Sequence, residues 1–194
     1  MKIIKSNEKY LTPEIVEECF EKGKLTSVDK TVTGNGFSTG FLNLKVRLGR
    51  MHIIIAPNRA VVEEKEKAYL DDLNLPLTHK DKVFHSENRM KFFYGKSFDD
   101  NFDDADVLVF VADSFIMRGD AIKQIAHRID KVLIDEVHSV HQQSLYRSIL
   151  VDFENRVVNR FTSNVAIVSV TATPILFARV DIKIQNKYTP KQII

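Results

Sequence analysis

Short runs of β-branched and aliphatic residues, apolar nearly throughout, alternate along this chain with longer stretches of helical periodicity. The runs occupy residues 27–32, 52–56, 82–85, 106–111, 131–134 and 164–170, with a further candidate at 180–184. A strand with one wet face alternates apolar and polar residues. One that is apolar at successive positions is buried on both faces, the condition of a parallel strand covered by helices on either side. The intervening segments carry helix signals. Thr12 followed by Pro13 reads as an N-cap and first-turn proline, opening a helix towards Glu21. Asn58 caps a helix through Val61, Val62 and Ala68. Between residues 138 and 161, Tyr146, Ile149, Leu150, Phe153 and Val157 recur at three- and four-residue spacing, one apolar stripe on a helix. Strand–helix–strand repetition predicts an α/β fold, a three-layer sandwich around a mostly parallel sheet. Residues 1–26 read as an N-terminal helical extension and 27–186 as the core of a single domain. The acidic stretch at 99–104 reads as a solvated loop.

With 194 residues, 44% of them hydrophobic, the chain has apolar material for one real core, which argues against a disordered or collagen-like chain. Lys and Arg number 28 against 26 Asp and Glu, a net charge of +2, so any nucleic-acid contact has to come from a local basic patch. The single cysteine, Cys19, cannot form an internal disulfide. A reducing, cytoplasmic setting is expected from that. No apolar run approaches the length of a membrane span, and the first residues lack the apolar centre of a signal peptide. The sequence stops shortly after 180–184 without terminal punctuation, and reads as a piece of something longer.

Three of the 7 glycines fall in Thr33-Gly34-Asn35-Gly36-Phe37-Ser38-Thr39-Gly40, between a buried strand and a helical pattern. A glycine turn leading onto a helix presents free backbone N–H groups to an anion, and open parallel sheets bind ligands at the carboxyl ends of their strands. A glycine-rich turn with no ligand remains the alternative. A second signal is Val132-Leu133-Ile134-Asp135-Glu136-Val137-His138, where a buried strand delivers two adjacent carboxylates to the same sheet edge. Nucleotide hydrolysis needs one carboxylate to hold Mg²⁺ through its water shell and another to orient or deprotonate water. Neighbouring strand residues point opposite ways, so Asp135 and Glu136 can divide those roles only where the strand is ending. A strand stopping in an exposed acidic turn is the alternative. His138 and His141 match neither the zinc-protease helix pattern nor a Cys/His zinc site.

In this order the segments resemble the N-terminal RecA-like lobe of superfamily 2 helicases, the DEAD/DEAH-like group of P-loop NTPases. Thr33 to Thr39 resembles motif I (Walker A), and Ala56-Pro57-Asn58-Arg59-Ala60 with Lys65-Glu66 resembles motif Ia. The strand at 107–111 with Asp113-Ser114-Phe115 resembles motif Ib, Asp135-Glu136-Val137-His138 the DExH form of motif II, and Thr171-Ala172-Thr173-Pro174 motif III. The resemblance implies ATP and Mg²⁺ as cofactors. It makes Thr33, Gly34, Asn35, Gly36, Phe37, Ser38 and Thr39 the nucleotide cradle, Ser38 and Asp135 the Mg²⁺ residues, and Glu136 the catalytic base. His138, Thr171 and Thr173 would couple nucleotide state to nucleic-acid grip. Asn58, Arg59 and Ser114 would lie along a nucleic-acid strand, contacting phosphates without reading sequence.

Two departures bear on activity. Phe37 stands where motif I carries lysine. Loss of a positioned donor of this kind costs on the order of 2.7–4 kcal/mol of transition-state stabilisation, about 10²–10³ in rate. Phe37 and Phe41, four apart, share one helix face, so Phe37 either joins the core or plugs the phosphate site. Hydrolysis then needs a substitute cation, for which Lys30, Lys45 or another chain are equal candidates. The second departure is the partner lobe: members of this group hydrolyse ATP between two RecA-like lobes, and this sequence holds only one. The resemblance thus leads to a helicase-like, nucleic-acid-dependent NTPase lobe with impaired hydrolysis. The rival is a non-catalytic pseudo-ATPase lobe that docks nucleic acid or protein.

Overall fold

The computed structural model describes residues 1–95 and 100–186. Among them, eight strands form one sheet: β1 (Lys2–Ser6), β2 (Leu25–Asp29), β3 (Met51–Ala56), β4 (Met90–Phe93), β5 (Val107–Val111), β6 (Ile129–Asp135), β7 (Ala166–Thr171) and β8 (Ile182–Asn186). Their order is β1-β8-β2-β7-β6-β3-β5-β4, and every pairing is parallel. The carboxyl ends of all eight therefore lie along one edge.

Burial on both faces is visible strand by strand. Ile53, Ile55, Leu108, Phe110, Val132 and Ile134 pack into one apolar cluster, while their neighbours Ile54, Val107, Val109, Leu133, Val168 and Val170 pack into another. The helices α1 (Pro13–Glu18), α2 (Phe37–Leu42) and α3 (Arg59–Leu73) supply Val16, Phe41 and Val62 to the second cluster. The first is covered by Phe115 of α4 (Ala112–Met117), Ile122 of α5 (Gly119–Ile125), Val140 of α6 (Val137–Gln143) and Val157 of α7 (Phe153–Val158). Sheet and two helical layers make the three-layer α/β sandwich, with an all-parallel sheet.

The expected caps are present. Thr12 Oγ1 accepts the Ile15 N–H at 3.3 Å with Pro13 in the first turn, and Asn58 Oδ1 accepts the Val61 N–H at 3.0 Å. Three expectations need correction. Residues 1–26 are more than a helical extension, because β1 joins the sheet beside β8 and β2 already begins at Leu25. Residues 82–85 are not a strand. The N–H groups of Val83 and Phe84 donate to the buried Asp72 carboxylate, at 3.0 and 2.6 Å to Oδ2, rather than to a ladder, and the strand of this region is β4. The helix expected between 138 and 161 is broken. Ser144 Oγ donates back to the His141 carbonyl at 2.6 Å where α6 ends, and Asp152 takes a left-handed φ of 56° ahead of α7. Leu150, Phe153 and Val157 are buried as the stripe implies, but Tyr146 and Ile149 are exposed. Of the acidic stretch, Asp99 lies outside the described residues. Residues 100–104 form no strand or helix, and Phe102 tucks against Phe93 and Phe110.

Candidate functional site

Beyond Asp29 the chain leaves β2 through Lys30, whose N–H donates to the Thr171 carbonyl of β7 at 3.0 Å. Thr31 follows at φ 61°, a left-handed conformation that β-branched residues rarely take. It is held by its N–H on Asp29 Oδ1 (2.8 Å) and its hydroxyl on the Ile184 carbonyl (2.7 Å). The turn then closes through buried Asn35. Its Nδ2 donates to the Lys30 carbonyl at 3.0 Å, and its own carbonyl accepts the Leu11 N–H at 2.8 Å. Gly36 takes φ 81° directly beneath Tyr10, where a Cβ would come within 3.3 Å of the Tyr10 Cβ. Glycine is required there on both grounds. As the N-cap of α2 it brings no side-chain acceptor, so the first N–H groups of that helix stay open.

The Phe37 side chain, 1% exposed, packs into the α1–α2–α3 cluster. That decides between the two readings of Phe37: it belongs to the core. Its burial still leaves a cavity of about 770 Å³ beside the turn, walled by Gly34, Gly36, Ser38 and Thr39 on one side and by Lys30, Lys65, Lys80 and Lys82 around it. Lys65 reaches in from α3, its Nζ donating to Thr39 Oγ1 at 3.2 Å.

The acidic pair ends β6, two strands away across β7. The β2–β7 and β6–β7 registers align Asp29 with Thr171 and Asp135 with Val170, so the glycine turn and Asp135 share one edge of the sheet. Asp135 is buried, and its Oδ1 has no hydrogen-bond partner among the described residues. Burial raises its carboxyl above the usual carboxylate range, opposed by the charges of Lys30 and Lys65 and assisted by Glu136. At Glu136 the strand stops abruptly, φ 47° and ψ 52°, which turns this carboxylate off the strand's alternation. Glu136 forms an ion pair with Lys30 on one side and lies 3.2 Å from His138 Nδ1 on the other. The same nitrogen lies 2.7 Å from Thr171 Oγ1, which accepts the Thr173 N–H at 2.9 Å. One ring nitrogen is therefore within reach of both the Glu136 carboxylate and the Thr171 hydroxyl. Lys30, Glu136, His138, Thr171 and Thr173 thus form one connected polar chain across three strand ends.

The donor chemistry fits a divalent cation held mainly through water: a buried carboxylate with an unspent oxygen at Asp135, and a half-buried hydroxyl at Ser38 on the turn along the same sheet edge. It does not fit phosphate binding by a motif I lysine, because position 37 is a buried phenylalanine that can neither donate a hydrogen bond nor neutralise charge. His141 takes no part. Its Nε2 pairs with Glu154 at 3.1 Å, which raises its pKa, and no cluster of three or more His, Cys, Asp or Glu among the described residues could hold a metal.

The residues expected along a nucleic-acid strand are less uniform. Asn58 and Arg59 are exposed where β3 ends, Asn58 capping α3 and Arg59 pairing with Glu63 at 2.8 Å. Ser114 is buried in α4 and does not present its side chain to solvent. Sequence reasoning did not single out Lys65 as a site residue. Its signal is visible afterwards: it lies four residues beyond Val61, which packs against the core, on the edge of the inward face of α3.

A family model described as "Type III restriction enzyme, res subunit" matches residues 14–176. Among solved structures, the chain is similar to a DEAD box protein from the hyperthermophile Methanococcus jannaschii. There the identity is 14%, the coverage 89% of this chain and 47% of that one, and the TM-score 0.59. The Mycobacterium smegmatis helicase Lhr, bound to ssDNA and AMP-PNP, matches at 15% identity over 93% of this chain and 26% of that one, TM-score 0.56. Saccharomyces cerevisiae Dbp5, bound to RNA and ADP BeF3, matches at 15% identity over 77% and 36%, TM-score 0.53. The chain therefore spans less than half the length of these structures, and it shares their RecA-like fold. No curated protein matches it. No helix among the described residues is long and apolar enough to cross a membrane.

Proposed function

Because the chain belongs to the family described as "Type III restriction enzyme, res subunit", we propose that it is the first lobe of a helicase-like, nucleic-acid-dependent NTPase. In this reading it binds Mg²⁺–ATP along the glycine turn and turns it over slowly. The observation that carries the reading is Asp135: a buried carboxylate with one oxygen unspent, on the sheet edge that also bears the turn. Leaving a buried acceptor unpaired costs about 1–3 kcal/mol, a standing penalty that a bound cation relieves.

In this reading Asp135 and Ser38 hold Mg²⁺, which when bound neutralises charge developing on the phosphates. Thr33, Gly34, Asn35, Gly36 and Thr39 surround the phosphate chain, and Glu136 orients and deprotonates the attacking water. His138 ties Glu136 to Thr171 and Thr173, so a shift in β7's exit is felt at the base. Asn58 and Arg59 contact the phosphates of a DNA or RNA strand, with the first turn of α4, which holds Ser114, acting through its backbone. A second RecA-like lobe, in the parent protein or a partner, completes the cleft. Phe37 leaves no cation on motif I, hence the low rate.

That same burial of Phe37 supports a second reading, a pseudo-ATPase lobe that only docks nucleic acid or protein. Calorimetry with Mg²⁺ and ATP separates the two. Micromolar binding that disappears in Asp135→Ala supports the first. Absence of binding at millimolar ATP, with retention of single-stranded nucleic acid, supports the second and overturns the first.

A further inference from the structure

We propose that Lys30 supplies the cation that motif I lacks, its ammonium contacting the phosphate chain of a nucleotide on the glycine turn. The inference rests on the nucleotide-binding reading above and deepens it. Lys30, Lys45 and a residue of another chain were the open alternatives. Lys45 is removed by geometry: it is exposed beyond the end of α2, away from the glycine turn, and does not line the cavity. Lys30 lines it, as do Lys65, Lys80 and Lys82. Lys65 is held by a hydroxyl, Thr39 Oγ1 at 3.2 Å, on the α2 side of the turn. Lys30 alone bridges the two halves of the site. Its backbone begins the turn, and its Nζ meets the Glu136 carboxylate at the end of β6.

A lysine whose side chain is 7% exposed is unusual, since taking an ammonium out of water costs several kcal/mol unless it is paired. Nothing in the packing of β2 requires charge there. An apolar residue at that strand end, facing another at position 136, would cost less. What requires an ammonium is an anion, and the one carboxylate in contact uses only one of its three N–H donors. The remaining donors sit at the wall of a cavity whose other lining is the glycine turn and Ser38. A motif I lysine reaches phosphate from the far end of the loop. Lys30 reaches it from the near end, which frees position 37 to join the core as phenylalanine. The lysine and the phenylalanine are one rearrangement: the charge moved from the helix start to the strand end.

The test is binding, read separately for Mg²⁺–ATP and for adenosine, which shares the base and sugar but no phosphate. Lys30→Met weakens Mg²⁺–ATP about 10–100-fold, the worth of a charged hydrogen bond, and leaves adenosine within about threefold. Lys30→Arg keeps most of the ATP affinity, and Lys45→Met keeps all of it. Because Lys30→Met strands Glu136, the same comparison is made in Glu136→Gln, where the double variant has neither charge. There the ATP loss persists relative to Glu136→Gln alone. Equal weakening of ATP and adenosine, or unchanged ATP affinity in a folded Lys30→Met while Asp135→Ala abolishes binding, overturns the role of Lys30 and leaves the nucleotide reading standing. Failure of the unaltered chain to bind Mg²⁺–ATP overturns both.

Discussion

Phe37 and Asp135 carry opposite physical instructions at one site. Phe37 is held by apolar burial in the α1–α2–α3 cluster, so Phe37→Ala lowers unfolding free energy by about 3–5 kcal/mol in urea titration. A phenylalanine that merely filled a solvent-facing phosphate site would cost far less on truncation. Asp135 is the reverse, a buried acid that destabilises the fold as it ionises. Burial raises its carboxyl pKa, so the native state binds its proton more tightly than the unfolded state does. Its unfavourable effect therefore grows as pH rises above the unfolded value near 3.9. Asp135→Asn removes that burden. The expected result is a thermal midpoint at pH 7 equal to or above that of the unaltered chain, together with loss of Mg²⁺-dependent nucleotide binding.

At the scale of single elements, β3 shows how completely a parallel strand is buried. Its second residue, His52, is 1% exposed and lies 5.6 Å from the Phe41 ring, and burial lowers its pKa to about 3. An unfolded histidine titrates near 6.5. Between those values the unfolded chain binds a proton that the native one refuses, so stability falls with acidification by up to about 1.4 kcal/mol per pH unit. Thermal midpoints compared between pH 7 and pH 4.5 should therefore drop less for His52→Leu than for the unaltered chain. An equal drop would place the imidazole in contact with water. The α1–α2 pair is governed by closeness instead: a Cβ on Gly40 would lie 2.8 Å from Val16 Cγ2, so Gly40→Ala pushes the helices apart and lowers the melting temperature.

At the scale of the molecule, β1 stands at one side of the sheet among the described residues. β1 lies outermost beside β8, its buried Ile4 backed by the ladder from Lys2 to Ser6 and its lysines turned to solvent. Deleting residues 1–6 exposes Ile182 and Ile184 along a bare parallel edge. The expected loss is about 2–3 kcal/mol, the burial of one isoleucine, with concentration-dependent association on size-exclusion chromatography. A monomer of undiminished stability would show that β1 is ornamental. The sheet also sets the spacing of the candidate site. With β7 between β2 and β6, the glycine turn and the acidic pair stand two strands apart, room that Lys30 spans with a long side chain.

The layers and the parallel sheet were legible in the chain because continuous apolar runs have only one stable environment, between two helical layers. Asp135 and the glycine turn were legible as a pair because parallel strands all end at one edge. Local pattern misled where other groups outbid the regular partners: Asp72 took the N–H groups of Val83 and Phe84, and the expected helix broke at Ser144 and Asp152, which left Tyr146 and Ile149 exposed. The destination of Phe37, the burial of Ser114 and the contact of Lys30 with Glu136 were decided only in three dimensions. Each depends on what a distant segment places opposite the residue, and sequence spacing along one element holds no record of its neighbours across the sheet.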